Sequence, residues 1–330
     1  MEPFVSVVID NYNYGRFLAR CIRSALEQDY PRDRFEVIVV DDGSSDDSRE
    51  TAARFGDAIR WIAQKNQGQA GAFNTGLAAA RGDIVCLLDA DDFWEPEKIN
   101  ETAAGFQDPS VGIVQHPLCD ADADGQPLPT LSPRWPPLYE LKDYLSGRAA
   151  LAAASGLAFR AEVLRQVLPI PLEISYASDT YLTVHGLFVA KARNLFPMLG
   201  YHRLHGQNNW AGFYASARKI ERGLAIRRAF RRHLDSKLRA RGLDYDPFYL
   251  LVEEMEDKRC EILLAMHRGR RSEAFSHWRE LWRRHRATGF GSFRALTILL
   301  ALLSPALYLR FYRLYGAKPW MVRLRESLLP

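Results

Sequence analysis

Along the first half of the chain, short β-branched apolar runs alternate with helical repeats. Residues 5–9 form an apolar β-branched run, and residues 16–28 then repeat apolar positions at Leu18, Cys21, Ile22, Ala25 and Leu26, the spacing of one helix face. Residues 37–40 predict a second buried strand that stops at Asp41-Asp42-Gly43-Ser44. Ser45 or Asp46 is then placed to cap a short helix ending near Phe55. Residues 58–62 predict a short strand, 69–81 a helix, and 84–88 a strong strand ending in Asp89-Ala90-Asp91-Asp92, after which Pro96 is set to open a helix in its first turn. This alternation predicts an α/β protein whose mostly parallel sheet is covered by helices on both faces. Ligands of such sheets bind beyond the carboxyl ends of the strands, where both acidic clusters lie.

The pattern weakens after Val111–Gln115, and residues 117–137, rich in Pro, Asp and Gly, read as an irregular excursion. Beyond about Tyr214 it turns helical, with basic helices expected near 214–240, Pro247–His267 and 272–287. Two regions follow, 1–215 and a basic helical 216–330 with an amphipathic segment at 293–315. Charge sharpens the division: the overall +4 combines 19 Lys/Arg against 28 Asp/Glu in residues 1–215 with 25 against 12 in residues 216–330. The second region therefore suits acidic surfaces. A hydrophobic content of 47% is ample for a large core, and four scattered cysteines without a CxxC pair suit reduced thiols. The opening MEPFVSVVIDNYN has no basic or long apolar leader, so the expected location is cytoplasmic, with peripheral contact on the inner membrane face open.

Asp89 and Asp91 are two apart, which on an extended backbone points both carboxylates to one side. That arrangement suits Mg²⁺ or Mn²⁺ completed by phosphate oxygens and water, an ion that neutralises a departing diphosphate. A solvated turn after a strand gives the same spacing. Asp120, Asp122, Asp124 and Gly125 imitate the opening of an EF-hand calcium loop, but Leu131 stands where its Glu belongs, so a hairpin turn is expected.

Three stretches, FVSVVIDNYNYGRFLARCIRSAL, FEVIVVDDGSSDDS and NQGQAGAFNTGLAAARGDIVCLLDADDFWEP, change the balance. In order and spacing they resemble the family 2 glycosyltransferases, inverting enzymes of the GT-A fold, over residues 3–116 and more loosely to 215. The resemblance implies a nucleotide-sugar donor, UDP-sugar favoured, and a Mn²⁺ or Mg²⁺ cofactor. It makes Tyr12 a stacking platform for the base and Asp42 the hydrogen-bond acceptor beside it, with Asp41 adjacent. Asp10, Asn66, Gly68 and Asn74 match positions around the donor, and Phe73 stands where the family often carries Arg. Asp89 matches the ribose contact and Asp91 the metal ligand, with Asp92 in support. Ser155 and Gly156 match the loop facing donor sugar and acceptor, and Asp179 the base that deprotonates the acceptor hydroxyl, although Ser178 replaces the usual Glu. His205 matches a histidine on the metal or diphosphate, with His202 its neighbouring competitor.

The C-terminal third lies outside the resemblance. Residues 295–309 carry no charge, and Arg310, Arg313 and Lys318 follow among Tyr308, Phe311, Tyr312, Tyr315 and Trp320. The uncharged stretch falls short of the roughly 20 residues needed to span a bilayer. An anionic membrane surface and a packed or homodimeric contact both stay open for it. No nucleic-acid-binding motif accompanies the basic helices, so nucleic acid is not an expected partner. The acceptor class is a glycan or lipid-linked hydroxyl. Nucleotidyl transfer and a non-catalytic nucleotide-binding scaffold are the alternatives, and the N-terminal segment lacks the Gly-rich basic loop that a triphosphate would need.

Overall fold

The structure is a computed structural model that describes residues 2–133, 135–147, 151–206, 208, 214, 216–286 and 289–309. The chain divides into two compact units, Met1–His205 and Gly206–Pro330.

The first unit opens with β1 (Val5–Asn11), α1 (Gly15–Leu26), β2 (Phe35–Asp41), α2 (Ser48–Ala53), β3 (Arg60–Ala63), α3 (Gly68–Ala79) and β4 (Ile84–Asp89). It continues through β5 (Phe93–Trp94), α4 (Lys98–Gly105), β6 (Val111–Gln115), β7 (Cys119–Ala121), β8 (Leu138–Tyr139), α5 (Leu141–Leu145), β9 (Leu157–Arg160), α6 (Ala161–Val167), α7 (Ser178–Gly186), β10 (Lys191–Asn194) and β11 (Gly200–Arg203). Among the described residues the main sheet has eight strands in the order β3-β2-β1-β4-β9-β6-β10-β8. Strands β3, β2, β1 and β4 are parallel, β9 is inserted antiparallel between β4 and β6, and β10 lies parallel to β6. A small second sheet pairs β11 with β5 and β7.

The apolar runs bury fully: Val5, Val7, Val8 and Ile9 meet Val37–Val39 and Cys86–Leu88 on the two sides of β1. The strands extend past these runs into the polar residues, because parallel pairing continues through Asp10↔Asp89 and Asn11↔Asp41. The second helix starts at Ser48, later than the cap expected at Ser45 or Asp46. Asp46 instead bridges two elements, its carboxylate accepting from the Gly15 N–H at 2.8 Å and from the Ser48 hydroxyl at 2.5 Å. Pro96 lies outside α4, and its carbonyl accepts from the Asp29 N–H. The Asp120–Gly125 segment is a tight turn, as expected: Asp122 accepts from the N–H groups of Asp124 and Gln126, and Gly125 takes a φ of 80°.

The second unit holds α8 (Ala217–Arg241), α9 (Pro247–His267), α10 (Arg271–His285) and α11 (Gly289–Leu303). Ser216 caps α8, and Gly242 ends it in the left-handed region at a φ of 62°. Asp246 caps α9 with Pro247 in its first turn. Ile220, Leu224, Met255, Ile262, Leu263, Leu281 and Ile298 form the core of this unit. A break at Ser304 separates α11 from a helical turn over 305–309, and Arg310, Phe311, Tyr312, Arg313, Tyr315, Lys318 and Trp320 lie outside the described residues. No helix among the described residues is long and apolar enough to cross a membrane.

Candidate active site at the carboxyl ends of β1, β2 and β4

Because β1 lies between β2 and β4, the polar tails of all three strands converge. One oxygen from each of Asp89, Asp91 and Asp92 lies within 4.8 Å of the others. Asp10 sits beside Asp89 in the strand register. Gathering carboxylates in a desolvated corner makes each hold its proton more tightly. Burial, reinforced by the Asp91 charge, pushes Asp92 up to about 7. Burial also brings Asp10 to about 7, although hydrogen bonding with Asp89 opposes the shift. Asp89 is raised well above the ordinary carboxylate range by burial and then by the charges of Asp10, Asp92 and Asp91.

The oxygens divide by what already engages them. Asp92 accepts from the Ser155 hydroxyl at 2.6 Å and from the Arg203 backbone N–H at 2.9 Å, which fixes it as a brace. Asp89 accepts from the Gln69 amide at 3.1 Å. Asp91 lies 2.9 Å from Nε2 of His205, whose side chain is fully buried against Phe17 and Tyr14. One Asp10 carboxylate oxygen is buried without a hydrogen-bond partner among the described residues. An oxygen-rich donor set with one imidazole, protons held by mutual repulsion and an unsatisfied buried carboxylate oxygen together fit a hard divalent cation. His202 instead faces Asp120, 3.3 Å away. Burial lowers its pKa, but the Asp120 hydrogen bond and the Asp92 and Asp91 charges outweigh that and raise it to about 9.

Around this centre, Tyr12 is 48% exposed, leaving its ring open to a planar ligand. Asn13, at a φ of 58°, accepts from the Ser45 N–H and ties that loop to the β2 turn. Asp41 accepts from the Asn11 amide at 2.8 Å. Asp42 is buried and accepts from the Gln64 side chain and the Gln67 and Gly68 N–H groups, so its carboxylate anchors the start of α3. Gly68 takes a φ of +77° there, and Asn66 is exposed beside Gly43.

Several residues singled out in sequence are held in other ways. Asn74 stands apart from the carboxylates, with both amide atoms engaged by the Ile170 backbone at 2.8 Å. Phe73 is fully buried in the core. Ser155 is buried, joined to Asp92 through its hydroxyl and accepting from the Asp89 N–H at 3.1 Å. A Cβ on Gly156 would lie 2.4 Å from the His116 carbonyl, so glycine here serves close packing of two chain segments. Asp179 lies in the first turn of α7, accepts from the Thr180 N–H at 2.6 Å, and is raised by burial.

Arg203 is a site residue that sequence reasoning missed. Its Nε donates to the Asp91 carbonyl at 2.8 Å while its guanidinium lies over Phe17 and Phe93, which locks the Asp91-Asp92 turn. A buried-type strand ending in arginine was the available signal. Gln69 and Asn11 were hidden because their role depends on strand register.

A mostly parallel α/β sheet carrying a carboxylate–histidine cluster at its strand ends, with an exposed aromatic ring beside it, has a GT-A-type architecture. The model of glycosyl transferase family 2 matches residues 6–168, about half of the chain, and that region belongs to the family. An uncharacterized glycosyltransferase of Nostoc sp. is 40% identical over 62% of this chain and 66% of its own length. Glycosyltransferase AglE of Haloferax volcanii is 28% identical over 55% of this chain and 60% of its own length, so the match spans just under two thirds of these relatives. Among solved structures, S. aureus TarS in complex with UDP shares the fold at a TM-score of 0.54 and 18% identity, covering 85% of this chain and 91% of that one. Mannosyltransferase PcManGT from Pyrobaculum calidifontis, in complex with GDP-Man and Mn²⁺, has a TM-score of 0.56 at 18% identity, covering 100% and 85%.

Proposed function

We propose that the protein is an inverting transferase that moves a sugar from a nucleoside-diphosphate donor, UDP favoured, to a hydroxyl on a glycan or lipid-linked acceptor. The observation that carries this reading is the convergence of Asp89, Asp91, Asp92 and His205 at the end of β4, a centre fitted to a diphosphate-bound cation. Asp91 and His205 would hold Mn²⁺ or Mg²⁺, which when bound supplies positive charge to the departing diphosphate. Tyr12 stacks on the base, and Asp89 orients the ribose. Asp92, clamped by Ser155 and Arg203, keeps the turn rigid so that Asp91 needs little reorganisation. Asp179 takes the proton of the acceptor hydroxyl as it attacks the anomeric carbon from the face opposite the leaving group. Binding of UDP by TarS and of GDP-Man with Mn²⁺ by PcManGT supports a nucleotide-sugar donor for a chain of this fold.

The test is transfer from a panel of nucleotide-sugars, with and without metal. Asp179→Asn is expected to lower kcat by about 100- to 10,000-fold, the range for removing a general base, while donor affinity changes little. Since burial raises the Asp179 pKa, the acid limb of kcat/KM should lie above the ordinary carboxylate range. Unchanged turnover in Asp179→Asn would remove it from the mechanism.

A further inference from the structure

In the helical unit α10 and α11 pack side by side, tied by the Trp278 indole N–H donating to the Ala295 carbonyl at 2.9 Å. α11 buries Ala295, Ile298 and Ala301 and turns Leu296 (51% exposed) and Leu303 (70%) outward, with Leu307 exposed just beyond. From Ala295 to Leu309 the sequence carries no charge, so nothing ionic interrupts this apolar face. Contiguous exposed aliphatic side chains mark a contact surface.

On the neighbouring α10, Phe275 is half-exposed and Arg279, Arg283 and the C-capping Arg286 are exposed. At about 100° per residue, Phe275, Arg279 and Arg286 run along one side of the helix, with Arg283 next to them. Several other arginines of the unit are neutralised internally: Arg227 by Glu253 and Asp257, Arg228 by Glu261, and Arg284 by Glu254 and Glu280. No ion pair engages Arg279, Arg283 or Arg286 among the described residues.

We propose that the exposed faces of α10 and α11 together form one surface that docks on an anionic lipid bilayer. The leucines and Phe275 would enter the boundary between headgroups and acyl chains, and the three arginines would meet headgroup phosphates. Charge decides against a second copy of the chain as the occupant, since a self-complementary contact would set the same three arginines against each other. The inference is independent of the transferase reading.

Vesicle flotation with the full chain tests it. The protein is expected to float with vesicles of equal parts phosphatidylcholine and phosphatidylglycerol, to stay behind with phosphatidylcholine alone, and to be released by high salt. The triple variant Arg279→Gln, Arg283→Gln, Arg286→Gln should partition roughly 100-fold more weakly, as removing three cations near an anionic surface implies. Leu303→Ser should weaken binding at every salt concentration. Unchanged melting by circular dichroism would show that both variants fold. Equal partitioning of the wild type and the triple variant would overturn the proposal. So would failure to bind the anionic vesicles, or a dimer seen by light scattering that Leu303→Ser dissolves while no vesicle binding occurs.

Discussion

Asp91 and Asp92 are adjacent in sequence but differ in what their oxygens can do. Both oxygens of Asp92 are engaged, by Ser155 and Arg203, whereas an Asp91 oxygen lies 2.9 Å from Nε2 of His205, the other candidate metal ligand. Asp91→Ala should therefore lower turnover by at least about 100-fold, since charge stabilisation of the leaving group is worth several kcal/mol and each 1.4 kcal/mol is tenfold. The shared protons of the cluster give a second test. Asp10 and Asp92 titrate near 7 in the folded state against 3.8 for a free carboxylate, so the folded protein binds more protons than the unfolded one between those values. Their contribution to stability is complete below 3.8 and is lost as pH rises through about 7. Without metal, the melting temperature of the wild type relative to Asp10→Asn should fall between pH 5 and pH 8 (about the span of those values), and Mn²⁺ should restore it most at the upper end. A rise over that interval without metal would contradict the assignment. Lys98 is a different case. It is fully buried over the Trp94 ring, its Nζ has no hydrogen-bond partner among the described residues, and burial lowers its pKa. Lys98→Met, of similar length and no charge, is expected to stabilise the fold by about 1–3 kcal/mol in chemical denaturation, and a loss of stability would show that the buried amine has a structural role.

At the scale of elements, the site exists because β1, β2 and β4 run on past their apolar cores. Apolar runs near 5–9, 37–40 and 84–88 were legible in the sequence because parallel strands buried on both faces read as continuous β-branched segments. Their polar ends were not, since Asp10 and Asn11 join the strands only through pairing with Asp89 and Asp41. The antiparallel insertion of β9 was also hidden: Leu157–Arg160 is short, and its neighbours β4 and β6 are distant in sequence. Without a view of β9, the Ser155-Gly156 turn reads as a loop facing a ligand, whereas Ser155 is buried and joined to the Asp89 N–H and the Asp92 carboxylate. Gly156→Ala tests that reading, because the added carbon would meet the His116 carbonyl at 2.4 Å. We expect a loss of about 1–3 kcal/mol in stability, the usual range for overpacking, together with reduced turnover. Unaltered stability would show that the two segments can separate.

For the molecule as a whole, sequence charge separates an acidic first region from a basic second one, and each unit has its own core. The family resemblance ends with the first unit, so only there could expectations about the site be written residue by residue. For the second it gave only helices and charge. Amphipathic helices of many folds share that pattern, and the unpaired arginines of α10 became visible only once the internal ion pairs were placed. A nucleotide that binds only the folded first unit should raise its apparent stability by about 2.7 kcal/mol at 100 times its dissociation constant, so a melting screen of nucleotides with Mn²⁺ should single out one base. The central claim is that Asp91 and His205 hold a divalent cation that in turn binds a nucleoside diphosphate, and calorimetric titration of UDP into the protein examines it without needing the acceptor. The account predicts saturable binding with Mn²⁺ or Mg²⁺ that is lost in EDTA and in Asp91→Ala. Equally tight binding of UDP by wild type and Asp91→Ala in the absence of metal would contradict it.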